Sequence, residues 1–265
     1  MKLEESIKIR SNIEIAPGTY LMELLSSEMA ADSKPGQFVM IRVEKRTDPL
    51  LRRPFSICAV ESGGIVKILY KVVGKGTEIL SNKNSGDFLS ILGPLGSEFK
   101  IPDPGQNVIL VAGGIGIAPI FFLGQNIKHD NFEFLAGFRT FEEIIKAEDI
   151  SSVRCFEPSI ATDDGSFGYR GRVTDLLEET LKRHQDRSNI IYACGPLPML
   201  RQTALTAQKY NLPCRVSVEA FMACGLGVCQ GCAVKIISSE PGQVYQRVCM
   251  EGPVFDSYNI DWTSL

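Results

Sequence analysis

The sequence predicts a multi-domain protein of the β plus α/β class: an N-terminal antiparallel β-barrel, a parallel α/β domain and a small C-terminal module. Three observations carry this. The first 100 residues break into short apolar or alternating stretches bounded by turn residues. From about residue 101, apolar strands alternate with helical patterns. Four of the eight cysteines fall in the last 42 residues. The expected divisions are 1–100, 101–214 and 215–265, and a length of 265 residues suits two domains and a small module.

In the first part, IKIRSNIEIA, YLMELLS, QFVMIRV, FSICAV, IVKILYKVV and DFLSILGPLG read as strands. APGT, SKPG, ESGG, GKGT and NSGD supply the turns between them. Short strands at this spacing predict a small antiparallel barrel or sandwich. IPDPGQ then reads as a linker. VILVAGG (108–114), FEFLAGF (132–138) and IIYACGP (190–196) are buried-strand patterns, and helical stretches such as VTDLLEETLKRHQ precede the later two. That alternation predicts a parallel sheet. Beyond residue 215 only CAVKII is strand-like, followed by a turn at SSEPGQ.

Hydrophobic content of 44% and charged content of 22% allow a sizeable core, and a net charge of -3 gives no reason to expect nucleic acid as a partner. No apolar run reaches the roughly 20 residues of a membrane span. The first residues, MKLEESIKIR, lack the apolar middle of a secretion signal, so the expected location is cytoplasmic. There, stable disulfides are disfavoured. Cys58, Cys155 and Cys214 read as small buried hydrophobes. The two histidines, His129 and His184, lie in polar surroundings and are not expected to be catalytic.

Several motifs carry chemistry. Arg53-Pro54-Phe55-Ser56 heads a barrel strand. An arginine can pair bidentately with a phosphate, Phe55 offers a flat surface on the same side, and Ser56 offers a hydroxyl. The set suits a flavin, although an arginine before a proline and a core phenylalanine would also produce it. In Gly74-Lys75-Gly76-Thr77, glycines admit close backbone approach to an anion, and Thr77 is expected to open a helix as its N-cap; an ordinary hairpin turn is the other reading. A buried strand ending in Gly113-Gly114-Ile115-Gly116, with Pro119 in the first turn of a following helix, reads as a dinucleotide site of unusual spacing, with a glycine-rich packing turn as the other reading. Cys194-Gly195-Pro196 should lie beside it at the carboxyl edge of the sheet, either touching a nicotinamide or packing.

Cys224, Cys229 and Cys232 have the C-x4-C-x2-C spacing of plant-type [2Fe–2S] ferredoxins, and Cys249 follows 17 positions later. Four-thiolate zinc sites usually come from two short cysteine pairs. Three clustered ligands and a lone fourth therefore favour iron–sulfur over zinc or a disulfide.

Together, RPFS, GKGT, GPLG, GGIGIAP and CGP resemble the ferredoxin reductase-like superfamily. With CGLGVCQGCAVK and ATDDGSFGYRGRVTDLL (161–177), nearly the whole chain resembles the electron-transfer subunits of class 1B dihydroorotate dehydrogenases. The resemblance implies FAD on Arg53, Pro54, Phe55 and Ser56, on Leu69, Tyr70 and Lys71, and on Gly74, Gly76 and Thr77. The family often has tyrosine where Phe55 stands; phenylalanine keeps the stacking and loses the hydroxyl hydrogen bond. It implies NAD(H) on Gly114, Gly116, Cys194 and Gly195, and cluster ligation by Cys224, Cys229, Cys232 and Cys249. It further implies electron exchange with an FMN-containing dihydroorotate dehydrogenase catalytic subunit in a heterotetramer of two of each, with no catalytic side chain of its own. Two other readings stay open: an NADPH-linked reductase subunit, for which Arg139 could meet a 2′-phosphate while Glu142 and Glu143 argue the other way, and a non-catalytic redox sensor.

Overall fold

The structure is a computed structural model and describes residues 2–128, 132–151, 156–184, 188–237 and 244–265. His129 and Cys155 lie outside the described residues.

The barrel is built from β1 (Lys2–Ala16), β2 (Thr19–Leu25), a short helix α1 (Ser27–Asp32), β3 (Phe38–Arg42), β4 (Arg53–Glu61), β5 (Ile65–Lys71), helix α2 (Lys75–Ser81) and β6 (Phe88–Leu95). The strands close in the order β1-β2-β5-β4-β3-β6, each neighbouring pair antiparallel. Ile9, Met22, Leu24, Ile41, Ile57 and Ile68 fill the interior at zero exposure. Closure leaves no open edge. Thr77 is not the N-cap of α2. Gly74 takes that position, and Thr77 stands three residues on, its Oγ1 accepting from the amides of Val73 (2.9 Å) and Gly74 (3.2 Å). The hydroxyl at the third helical position reaches back to the cap, which the spacing alone did not distinguish.

The second sheet comprises β7 (Asn107–Gly113), helix α3 (Ile117–Asn126), β8 (Phe132–Phe138), helix α4 (Ala147–Ile150), β9 (Ser159–Thr162), β10 (Tyr169–Arg170), helix α5 (Val173–Arg183), β11 (Asn189–Cys194), helix α6 (Leu197–Lys209) and β12 (Cys214–Ser217). Its order is β10-β9-β8-β7-β11-β12, all parallel. The C-terminal segment adds a hairpin of β13 (Ala233–Lys235) and β14 (Tyr245–Arg247). It then returns β15 (Val254–Asp256) antiparallel to β12. The sheet therefore extends past residue 214. Among the described residues no helix is long and apolar enough to cross a membrane.

Helix α3 explains how the two units meet. Its residues from Ile117 to Gly124 are all buried, an all-round apolar pattern that belongs to a helix covered on both sides. Phe121 and Leu123 join the core beneath the sheet, and Phe122 joins the barrel core. Cys58 and Ala59 of β4 pack into the sheet-side core, and Cys58 and Cys214 are both buried. Beside this seam, Lys67 of β5 is buried and its Nζ donates to the Ile150 carbonyl at 2.9 Å. It also pairs with Glu23 (3.1 Å) and Glu61 (3.0 Å), and Ser151 Oγ donates to Glu61 at 2.6 Å.

Arg10 also approaches Glu23, at 3.6 Å, but Glu61 pairs with Lys67 alone among the described residues, so removing Lys67 would strand one largely buried carboxylate and weaken the hold on another, a change that typically costs about 3 kcal/mol or more. Lys67→Met should lower the free energy of denaturant unfolding by about that amount. A loss below about 1 kcal/mol, the value of a solvated surface pair, would mean that the network does not hold the seam.

Candidate functional site

A cleft of about 370 Å³ lies between the barrel and the carboxyl edge of the sheet. Of the residues expected from sequence, Arg53, Pro54, Phe55, Ser56, Leu69, Tyr70, Lys71, Thr77, Gly116 and Cys194 all line it. Gly74, Gly76, Gly114 and Gly195 do not line it directly, but they are sequence neighbours of residues that do.

The barrel wall is made by β4 and β5. Phe55 meets Tyr70 edge-on (5.7 Å between ring centroids), and Tyr70 stacks on Tyr20 at 5.6 Å. Burial raises the Tyr70 phenol, although its Oη donates to Asn12 Oδ1 at 2.8 Å. Phe55 is therefore wedged into the barrel core as well as facing the cleft. The Arg53 side chain lies across the start of α2. A Cβ on Gly76 would come 3.0 Å from Arg53 Nε, so the two motifs meet closely here. Lys71 pairs with Glu143 at 3.0 Å, across to the loop that follows β8.

The opposite wall sits at the point where the strand order reverses between β7 and β11, where ligands of such sheets bind. Two turns interlock there, backbone to backbone. A Cβ on Gly116 would lie 2.4 Å from the Cys194 carbonyl oxygen, and one on Gly195 would lie 3.0 Å from Gly113 Cα. Pro119 occupies the first turn of α3 and also lines the cleft. Burial pushes the Cys194 thiol well above its ordinary value, so it is a neutral group there rather than a nucleophile.

Sequence reasoning missed a third wall. Ser217, Val218, Glu219, Ala220 and Met222 line the cleft from the segment that leads into the cysteine loop. Glu219 is accessible from the cleft, yet surrounding protein raises its carboxyl above the usual range. The signal was present: CRVSVEA alternates like a strand, but residues from 215 onward were expected to serve the cysteines alone.

The cysteine loop holds its four thiols as two separate pairs, and among the described residues no three His, Cys, Asp or Glu side chains stand close enough together to hold a metal ion. Cys224 is hydrogen-bonded to Cys229, and Cys249 to the buried Cys232. Cys224 Sγ accepts from the amides of Leu226 (3.3 Å) and Cys229 (3.5 Å), and Cys249 Sγ accepts from Gly227 at 3.2 Å. Burial works to raise the Cys224 thiol, but the amides of Cys229 and Leu226 outweigh it and bring it down to about 6. Cys249 is pushed up to about 12 by burial and by its bonds with Cys232, so binding metal would require its proton to leave. Gly225 and Gly227 have φ of +70° and +76°, where a side chain would be strained, and these turns aim the amides at sulfur. Soft thiolates backed by N–H donors suit an iron–sulfur cluster.

Comparison with known proteins agrees with this geometry. Residues 219–261 match the iron–sulfur cluster binding domain of dihydroorotate dehydrogenase B, and residues 110–204 match the oxidoreductase NAD-binding domain. The chain is 42% identical over 267 residues to the dihydroorotate dehydrogenase B (NAD(+)) electron transfer subunit of Desulforamulus reducens, covering 96% of this chain and 97% of that one. It is 38% identical to the subunit of the same name from Bacillus caldolyticus, covering 95% and 96%. Among solved structures, an NADH-dependent reduced ferredoxin-NADP oxidoreductase aligns with a TM-score of 0.83 at 29% identity, over 98% of this chain and 91% of that one. The ferredoxin reductase of carbazole 1,9a-dioxygenase shares the fold (TM-score 0.69, 21% identity, 80% and 68% covered). With relatives at this identity over at least 95% of the chain, and with family matches that cover the nucleotide sheet and the cysteine loop, the chain belongs to the family of dihydroorotate dehydrogenase B electron transfer subunits.

Proposed function

We propose that this chain carries electrons between NAD(H) and a catalytic partner, with FAD in the cleft and a [2Fe–2S] cluster on Cys224, Cys229, Cys232 and Cys249. The observation that carries the reading is the shared wall. Ser217 to Met222 lines the cleft and runs straight into Cys224, so the flavin pocket and the cysteine loop are consecutive along the chain.

Arg53 would hold the flavin pyrophosphate, with Pro54, Phe55, Ser56, Leu69, Tyr70 and Lys71 around the ring and ribityl chain and Gly74, Gly76 and Thr77 at the adenine-side phosphate. Gly114, Gly116, Cys194 and Gly195 would take the pyridine nucleotide. When bound, FAD supplies the change between two-electron and one-electron chemistry. The chain contributes orientation: the interlocked turns at Gly116 and Gly195 fix one face, and the β4 wall fixes the other. The neutral Cys194 thiol and the Glu219 carboxyl border the same cleft, and Glu219 is suited to hold a proton nearer neutral pH than an ordinary carboxylate.

The relatives' name supports a catalytic partner. We extend it to an FMN-containing dihydroorotate dehydrogenase subunit, joined as a heterotetramer of two of each in the cytoplasm, that oxidises dihydroorotate to orotate with NAD⁺ for pyrimidine biosynthesis. Apolar side chains exposed around the cysteine loop favour a docked partner there: Phe221 is 98% exposed and Val228 78%. The working division into 1–100, 101–214 and 215–265 belongs to this reading. A second reading, an NADPH-linked reductase subunit, is favoured by the 0.83 TM-score to the reduced ferredoxin-NADP oxidoreductase. Against it, Glu142 and Glu143 follow Arg139 by three and four residues, and hydrogen bonding with Thr140 holds the Glu142 carboxyl below its ordinary value.

Co-expressed with an FMN-containing dihydroorotate dehydrogenase catalytic subunit, the chain should support NAD⁺ reduction by dihydroorotate. A complex that instead reduces NADP⁺ about tenfold faster than NAD⁺ would move the assignment to the second reading. Cys249→Ser should abolish the visible absorption of the cluster while FAD stays bound; an unchanged spectrum would exclude Cys249 as a ligand. Gly116→Ala should raise the KM for NADH by about tenfold, through displacement of the turn against the Cys194 carbonyl. An unaltered KM would detach this turn from nucleotide binding.

A further inference from the structure

The cysteine loop is held from behind by a side chain that ligates nothing. Gly227 donates its amide to Cys249 Sγ at 3.2 Å, and its carbonyl accepts from Arg247 Nη1 at 2.8 Å and from Gln230 Nε2 at 3.1 Å. Only glycine fits this turn: φ is +76°, and a Cβ would lie 2.5 Å from Met250 Cγ and 3.1 Å from Arg247 Nη1. Arg247 is itself gripped by Glu251. Its Nε donates to Oε2 at 3.1 Å, its backbone amide donates to the same oxygen at 2.7 Å, and Nη2 donates to Oε1.

We propose that Arg247 is a positioning residue for the iron–sulfur centre: by fixing the Gly227 carbonyl it keeps the Gly227 amide on the Cys249 sulfur, and so raises the reduction potential of the cluster. The inference rests on the cluster reading above. Amide donors to a ligating thiolate favour the more negative, reduced state, so their loss lowers the potential. The guanidinium fork is essential to the arrangement, because it serves the carbonyl and the carboxylate at once. Glu251 balances the charge of Arg247. The effect therefore comes from the direction of a hydrogen bond more than from a bare cation. A surface ion pair with no further partner would do little; this one has a third partner, the carbonyl of the residue whose amide bonds the Cys249 sulfur.

The test is a potentiometric titration of the full chain with its cluster, followed by electron paramagnetic resonance, with iron and FAD content measured as controls. Arg247→Gln and Arg247→Lys should both retain the visible absorption of the cluster and shift its midpoint potential to more negative values. The lysine variant shifts because a single ammonium cannot hold both partners. An unchanged potential in both variants would overturn the proposal. So would a shift in the glutamine variant alone, since charge and not positioning would then set the potential. Loss of the cluster from both would also overturn it, by making Arg247 necessary for assembly rather than tuning. A wild-type chain that binds no iron would defeat the parent reading as well, and the iron content of the wild type tells that failure apart from the others.

Discussion

One packing constraint governs the redox site: helix α3 is enclosed between β4 of the barrel and the parallel sheet. Its N-terminal end begins at Gly116, whose missing side chain allows contact with the Cys194 carbonyl. Its flank presses on β4, the strand that begins with Arg53 and runs through Phe55 and Ser56. A single rigid element thus sets the separation between the flavin wall and the nucleotide wall. Transfer between two ring systems bound in this cleft would be sensitive to misplacement on the ångström scale, and a helix buried at every residue from Ile117 to Gly124 has little room to shift. The Lys67 network with Glu23, Glu61 and the Ile150 carbonyl secures the same seam away from the cleft.

Much of this was legible in the sequence, and the reason is local. Gly116 and Gly195 answer demands that the backbone makes within a few residues, and Pro119 marks a helix start by the hydrogen it lacks. The strands from VILVAGG and IIYACGP are continuous apolar runs because both of their faces are covered. C-x4-C-x2-C is likewise a local ligand pattern. What could not be read depends on distant pairing. The position of Glu219 in the cleft requires β12 to lie between β11 and a strand that arrives nearly forty residues later. The ion pair of Lys71 with Glu143 joins residues from two units, and no spacing rule connects them. Thr77 shows a finer limit: the residue type identified the helix start, but a hydroxyl can serve it from the cap or from three positions on.

The C-terminal segment is bound to both larger units rather than tethered to them. Phe38, Met40 and Leu95 of the barrel share one apolar core with Val216, Cys232, Val248 and Phe255. Gly225, in the cysteine loop, sits so close to Met40 that a Cβ would lie 2.7 Å from its Cγ. Ser97 donates its amide to the Gly252 carbonyl at 2.6 Å. These contacts place the cysteine loop against β3, the strand that pairs with the Arg53–Ser56 motif.

That placement has a consequence for how the parts depend on each other. The cleft needs three walls, and each comes from a different stretch of the chain: β4 and β5, the turns after β7 and β11, and residues 217–222. The third wall follows β12, which pairs with β15, and β15 begins five residues after Cys249. The cysteine loop and the third wall of the cleft therefore both lie between two strands that pair with each other. A metal bound by the four thiols would draw Cys224 and Cys249 together across 24 intervening residues and restrict the segment from which β15 departs. Occupancy of the cysteine loop would in this way bear on the strand at the sheet's edge, so that loop and cleft are connected through the fold of the same segment.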